Sequence, residues 1–237
     1  MPKISFIAAD EETYGRVSKP DPAVKHVPDW YKKANKFRYS NTPEFNDDGY
    51  PQATVKSCIP VLDSITAGYI QTTWTDIYIE EASFGNINYR WASGPQIMGS
   101  RDDWHKQNLT TPPGHIPQMF TWSRPWAIHT PKNYSCMFVH PMYHNDLPFT
   151  SFPGIIDTDN YVSPGQSSVP FFIKEGFTGL IPAGTPMYQI IPFKVEQWTS
   201  EKVFKDSLDL VTKTKYMIES KFYDGYKKLF WNKKQYH

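Results

Sequence analysis

Residues Leu147 to Phe193, LPFTSFPGIIDTDNYVSPGQSSVPFFIKEGFTGLIPAGTPMYQIIPF, decide the fold that the sequence predicts. Short apolar runs alternate with Gly or Pro at nearly every break, which is typical of short strands joined by tight turns. The polar residues Asp157–Tyr161 follow directly after the apolar pair Ile155 and Ile156. We therefore expect a sheet in this region, and its polar turn is the first candidate site.

Strand patterns continue on the N-terminal side of this stretch. In Ala67–Glu80, the residues Thr75, Ile77 and Ile79 alternate with more polar or aromatic residues, and this period of two predicts a half-buried strand. The polar, turn-rich segment Gly94–Gln118 predicts a long loop, which in a compact domain is usually functional. Further short strand patterns occur at Lys3–Ala9, Asn86–Trp91, Phe120–Trp122, Pro125–His129 and Asn133–His140.

Two segments have helical features. Pro28 and Asp29 precede Trp30–Lys33 in an order that favours the first turn of a short helix. Near the other end, Asp206–Trp231 has apolar residues at a spacing of three and four, which predicts a C-terminal helix. Those apolar residues are Leu208, Val211, Ile218, Phe222 and Leu229.

These patterns together predict an all-β fold that is mainly antiparallel, of the β-clip or jelly-roll-like sandwich type. We expect one β-rich domain over residues 1–198 and a helical appendage over residues 199–237. The apolar stripe of the appendage favours docking on the sheet or on a neighbouring subunit.

Composition limits the classes of function. The 237-residue chain has 25 Lys and Arg against 24 Asp and Glu, and its net charge of +1 gives no overall attraction to nucleic acid or to an anionic membrane. Met1–Gly15 lacks the pattern of a signal peptide, and no segment reaches the ~20 apolar residues of a membrane span. Cys58 and Cys136 have no CxxC or metal-ligand spacing, so we expect two free thiols in a reducing compartment.

Five phrases, in order along the chain, carry a resemblance to a known family. They are VSKPDPAVKHVPDWYKK, IPVLDSITAGYI, SRPWAIHTPKNYSCMFVHP, LPFTSFPGIIDTD and GLIPAGTPMYQIIPF. The chain resembles an uncharacterised family of tailed-phage proteins that is common in marine and cyanobacterial phages. This resemblance implies a phage or virus-like origin and a location in the virion or in the cytoplasm of the infected bacterial host. The family has no assigned activity.

A second resemblance is distant and covers residues 147–193. GIIDTDNY is similar to the third dUTPase motif and GTPMYQI is similar to the fourth, within the β-clip fold that dUTPases share with dCTP deaminases. The resemblance implies that Asp157 is the base that activates water, that Tyr161 stacks on the nucleobase and that Gln189 contacts phosphate or a neighbouring subunit. It also implies Mg²⁺ as cofactor and a trimer. Three positions depart from the motifs: Ile70, Asn160 and Pro186.

Metal binding has two candidate groups in the sequence. Asp157 and Asp159 lie two residues apart, so in a strand both carboxylates face one side and can share a proton or a divalent cation. The alternative is that both side chains hydrogen-bond the backbone of their own turn. His140 and His144 have the spacing of two helical ligands, but Pro141 argues against a helix there. His105, His115 or His129 could join them in a three-histidine site only if the fold brings these distant residues together.

Aromatic residues provide the remaining candidates. Trp91, Trp104, Trp122 and Trp126 can form a platform for a sugar or a base, with Asp159 and His105 as polar neighbours, or they can belong to the core. The leading functional expectation is a non-enzymatic, homo-oligomeric phage module that builds or decorates the particle or binds a host or viral component. The alternatives are a divergent dUTPase-like nucleotide hydrolase and a carbohydrate or small-ligand binding module.

Overall fold

The computed structural model of the chain describes residues 2–81, 86–106, 108–163, 165, 168–204, 209–219 and 223–237. Contacts between residues divide the chain into two compact units. The first, called here the β unit, comprises Met1–His26, Ala67–Val195 and Tyr236–His237. The second, called here the helical unit, comprises Val27–Thr66 and Glu196–Gln235. Residues 27–66 thus group with the C-terminal segment, whereas the sequence analysis placed them with the β-rich domain.

The β unit consists mainly of short antiparallel strands, which confirms the predicted β-rich fold. The strands are β1 (Ser5–Ala8), β2 (Asp21–Pro22), β3 (Tyr69–Thr72), β4 (Ile77–Glu81), β5 (Ile87–Trp91), β6 (Met98–Ser100), β7 (His115–Ser123), β8 (Trp126–His129), β9 (Tyr134–Val139), β10 (Phe149–Ser151), β11 (Gly154–Ile156), β12 (Ser168–Lys174), β13 (Gly179–Ile181) and β14 (Pro186–Lys194). Helices in this unit are short: α1 (Glu11–Arg16), α4 (Asp103–Lys106) and a 3₁₀ turn at Ala23–His26. The expected long loop at Gly94–Gln118 therefore contains β6, α4 and the first residues of β7.

The strands form four sheets, all with antiparallel pairing. A five-stranded sheet has the order β11-β9-β14-β3-β2, and a four-stranded sheet has the order β10-β12-β7-β6. A three-stranded sheet, β13-β4-β5, and the pair β1-β8 complete the unit. In β4 the alternation predicted from sequence is confirmed, because Ile77 and Ile79 are buried whereas Tyr78 and Glu80 are exposed.

The core of the β unit is rich in packed aromatic rings, most of them tilted or edge-on to one another. Trp122 of β7 lies parallel to Phe171 of β12, with 3.8 Å between the ring centroids. The indole nitrogen of Trp122 donates to the hydroxyl of Ser151, and that hydroxyl donates to the carbonyl oxygen of Met187 in β14. This buried chain of hydrogen bonds joins the four-stranded sheet to the five-stranded sheet and satisfies the only polar atom of the Trp122 side chain.

One close backbone contact requires glycine. Gly68 precedes β3 with φ +65°, and a Cβ atom at this position would lie 1.9 Å from the carbonyl oxygen of Ile190. Ile190 is the β14 partner of Tyr69 in the sheet. The absence of a side chain at Gly68 therefore allows β3 to enter the five-stranded sheet beside β14.

The helical unit includes both predicted helical regions. Its helices are α2 (Asp29–Lys33), α3 (Ile59–Ile65), α5 (Asp209–Glu219) and α6 (Gly225–Leu229), with a 3₁₀ turn at Val55–Ser57. The α2 helix confirms the expected short N-terminal helix. The C-terminal helical region contains α5 and α6, while Asp206, Leu208 and Phe222 of the predicted stripe lie outside the described residues. Val211, Ile218 and Leu229 of that stripe are exposed.

Contacts between the two segments of the helical unit hold it together. Phe37 is fully buried and its ring packs against that of Tyr223, with centroids 5.0 Å apart. The carboxylate of Asp63 accepts a hydrogen bond from the indole nitrogen of Trp231 at 3.0 Å and forms an ion pair with Lys234 at 2.7 Å. Cys58 in this unit and Cys136 in the β unit are both free thiols.

Candidate functional site

The polar turn Asp157–Tyr161 follows the edge strand β11. The backbone nitrogens of Asn160 and Tyr161 donate to the carbonyl oxygen of Asp157 at 3.2 and 2.9 Å, and these bonds close the turn. The apolar residues of β11 pair with β9, so the turn begins where that pairing ends. The site predicted from the sequence is thus a compact turn at one edge of the five-stranded sheet.

A second set of bonds fixes this turn to the connection between β8 and β9. Thr158 is buried, and its hydroxyl lies 2.8 Å from that of Thr130. The backbone nitrogen of Thr130 also donates to the carbonyl oxygen of Thr158. Asp159 accepts a hydrogen bond from the backbone nitrogen of Asn133, a residue with φ 66°. Asp159 therefore satisfies the backbone at a left-handed position.

Asp157 lies on the exposed side of the same turn. Its Oδ1 atom accepts a hydrogen bond from the hydroxyl of Ser135 at 2.8 Å. The two carboxylates thus bond to Asn133, which precedes β9, and to Ser135 within β9. Among the residues that the structure describes, no three His, Cys, Asp or Glu side chains lie close enough to hold a metal ion.

Gln189, the third residue of the dUTPase-like set, lies inside the β unit. It is fully buried in β14, where its Oε1 accepts from the backbone nitrogen of Met142 and its Nε2 donates to the carbonyl oxygen of Ala67. Gln189 pairs with Val139 on β9, four residues from Ser135 beside Asp157. Four residues correspond to ~13 Å along a strand, so one chain does not bring Asp157 and Gln189 to the same place.

The two candidate histidine ligands bond to backbone groups. His140 accepts from the backbone nitrogen of Ser151 at Nδ1 and donates from Nε2 to the carbonyl oxygen of His144, which fixes its neutral tautomer. Burial is the main cause that lowers the pKa of His140 to about 4, and the facing groups His144, Lys174 and Asp146 modify it. Nε2 of His144 lies 2.8 Å from the carbonyl oxygen of His26. His115 bonds to Pro113 and Thr150, so the structure does not gather these rings into one site.

The tryptophan candidates fall into two groups. Trp122 and Trp126 are buried, so they do not contribute to an exposed platform. Trp104 is 65% exposed and stacks on His105 with 3.5 Å between ring centroids, while its indole nitrogen donates to Asp102. Trp104 and His105 are thus open to a ligand, whereas Trp91 is half-buried, packs against the core and donates its indole N–H to the carbonyl oxygen of Gly94.

One residue near the turn was missed by the sequence analysis. Arg124 lies between β7 and β8, is 2% exposed and places its guanidinium carbon 5.4 Å from the centroid of the Phe138 ring. Its Nε and Nη1 atoms have no acceptor among the described residues, and neither does the buried indole nitrogen of Trp126. The signal was present in the sequence, since Trp122, Arg124 and Trp126 share a period of two that points a charged side chain inward.

Among the described residues, no carboxylate forms an ion pair with Arg124. Burial lowers the pKa of its guanidinium, but arginine stays protonated in proteins. The groups that act on it electrostatically are Tyr188, Tyr161 and Cys136. Burial raises the pKa of Tyr188 and of Cys136, so both remain neutral at physiological pH. The β unit thus holds a buried cation beneath its predicted site.

No helix among the described residues has both the length and the apolar character that crossing a membrane requires. Comparison of the sequence with protein-family models finds no matching family, and comparison with curated proteins finds no matching relative.

Proposed function

We propose that this chain is a non-enzymatic module of a tailed-phage particle, with a β-clip or jelly-roll-like fold, that self-associates and builds or decorates the particle. The five ordered phrases that resemble tailed-phage proteins support the phage origin. The observation that carries the proposal is the apolar edge of the five-stranded sheet.

That edge consists of β11 and the residues after its turn. Ile155 is 63% exposed, and Tyr161 and Val162 are also exposed. Among the described strands β11 pairs only with β9, so it is an edge strand of this sheet. An exposed edge strand with apolar side chains is a template for pairing with a second chain. A second copy of this chain or another particle protein fits this surface.

The candidate catalytic residues support this proposal over a nucleotide hydrolase. Gln189 can reach a phosphate only by leaving its two backbone partners and the core. Asp157 is exposed and bonded to Ser135. A nucleotide hydrolase needs its base within reach of the attacking water, in a site where cationic groups hold the phosphates.

Mass spectrometry of purified, protease-treated phage particles tests the proposal. We expect the chain at a fixed copy number per capsid. Phage that carry Ile155→Glu should lack the chain in their particles, because a charge on β11 opposes edge pairing while an exposed substitution leaves folding nearly unchanged. Leu180→Glu is the matched control, since Leu180 is exposed on β13 of a different sheet.

Two results would count against the proposal. Absence of the wild-type chain from particles would remove the structural role. Equal incorporation of Ile155→Glu and Leu180→Glu would show that β11 is not the contact surface.

A further inference from the structure

Arg124 and Trp126 have buried hydrogen-bond donors that the proposed structural role does not explain. Arg124 has a delocalised positive charge that cannot be neutralised by losing a proton. None of the ion pairs formed by the described residues involves it. A buried charge without a partner is costly, so a compensating group is expected at this position.

The phenyl ring of Phe138 compensates only part of that cost. The guanidinium carbon lies 5.4 Å from the ring centroid, within the range of a cation–π contact. A ring face accepts no conventional hydrogen bond from Nε or Nη1, and both atoms are buried without an acceptor among the described residues. Among the described residues, Arg124 therefore still lacks a hydrogen-bond acceptor that carries negative charge.

Trp126 adds a third donor of the same kind. Its indole nitrogen is buried and has no acceptor in the described structure. Only Pro125 separates Arg124 from Trp126, and a residue that precedes proline favours extended backbone. Indole nitrogen donates only, so this group also calls for an acceptor.

We infer that Arg124 and Trp126 form a binding site for a small oxyanion, either a carboxylate or a phosphate. Both classes carry several acceptor oxygens and a negative charge, which match two guanidinium nitrogens and one indole nitrogen. Tyr161, which is 48% exposed, is one of the groups that act electrostatically on Arg124.

Thermal unfolding of the full chain at constant ionic strength tests this site. Sodium phosphate and sodium acetate are titrated separately, and sodium chloride serves as the reference salt. We expect a saturable rise in Tm of about 5 °C at a hundredfold excess over Kd for at least one of the two oxyanions. A response to phosphate alone assigns a phosphate ligand, and a response to acetate alone assigns a carboxylate.

Variants separate the site from general salt effects. Arg124→Met should abolish the response and should unfold, without anion, at a temperature no lower than wild type, since it removes an unbalanced buried charge. Arg90→Met is the matched control. Arg90 also lies over a ring, 5.5 Å from the centroid of Tyr78, but it is exposed and pairs with Glu80 at 2.8 Å. This control should keep the full response.

Trp126→Phe keeps the test decisive if Arg124→Met does not fold. It removes only the indole N–H donor from the site, and we expect it to weaken anion binding by about tenfold. The inference is overturned if wild type shows no saturable response to phosphate or acetate, or if Arg124→Met or Trp126→Phe responds as wild type does. In the first case ordered water is the partner of these donors.

Discussion

The ionisation of His140 is coupled to folding. In the folded chain its Nδ1 atom accepts a hydrogen bond from the backbone of Ser151, so protonation at Nδ1 breaks that bond. Its pKa is lowered to about 4, compared with about 6.5 in an unfolded chain. Between these two values the unfolded chain binds a proton that the folded chain does not. The contribution of neutral His140 to the free energy of unfolding is therefore fully present above about pH 6.5, and it is lost as the pH drops towards 4.

The expected loss from His140 is about 2–3 kcal/mol between pH 7 and pH 4.5. Denaturant unfolding of wild type and of His140→Asn at both pH values measures it. Asn offers an acceptor near the Nδ1 position without titrating, and every other ionisable group is common to the two proteins. The variant should lose less stability on acidification than wild type does. Parallel losses in both proteins would contradict this role.

For single residues, the sequence predicted hydrogen-bond partners and burial only in part. The carboxylates of Asp157 and Asp159 bond to Ser135 and Asn133, which lie outside the turn, whereas the sequence suggested bonds to the backbone of the turn itself or a shared cation. The burial of Arg124 was not expected, because a Ser-Arg-Pro sequence between two strands is typical of a surface turn. Only the alternation of Arg124 with Trp122 and Trp126 indicated its direction.

At the scale of the secondary-structure element, the pairing of β3 with β14 depends on Gly68. Gly68→Ala should destabilise the chain by more than about 2 kcal/mol, because it combines a positive φ with a collision against the backbone of Ile190. Gly176→Ala is the matched control, since Gly176 has φ +75° and no atom within 4 Å of a built Cβ. It should cost only the ~1 kcal/mol of the backbone conformation.

Chemical denaturation of both glycine variants measures the difference between conformational strain and collision. Equal losses at Gly68 and Gly176 would mean that β3 can shift away from β14 at little cost. The position of β4 was predictable from sequence, because alternation is a local signal, whereas the first residues of β7 fell in the predicted loop Gly94–Gln118. Sheet order was not predictable, since it depends on contacts between distant strands such as β3 and β14.

At the scale of the whole molecule, the chain divides into two units, and each unit is built from segments that are far apart in the sequence. Phe37 and Asp63 lie in the first segment of the helical unit, and their partners Tyr223 and Trp231 lie in the second. The apolar spacing predicted a C-terminal helical region, but periodicity contains no information about the segment against which a helix packs. For this reason the grouping of residues 27–66 with 196–235 could not be predicted from the sequence.

Truncation after Val195 tests this division. We expect amides of residues 27–66 to lose protection in hydrogen exchange, since Phe37 loses the ring that covers it and Asp63 loses both of its partners. Strands β7, β9, β12 and β14 should keep slow exchange. Trp231→Phe in the full chain is the control, because it removes one hydrogen bond and should produce a smaller change. Unaltered protection of residues 27–66 in the truncated chain would refute the division.

The backbone contact at Gly68 also has an evolutionary consequence. Any side chain there meets the carbonyl oxygen of Ile190, so natural selection can accept drift at exposed positions such as Leu180 far more readily than at Gly68. Diverged descendants of this chain should therefore retain glycine immediately before β3 even after the surface has changed beyond recognition. Aligning distant genomes on that glycine, together with the alternation of β14, is a way to trace the lineage of this fold.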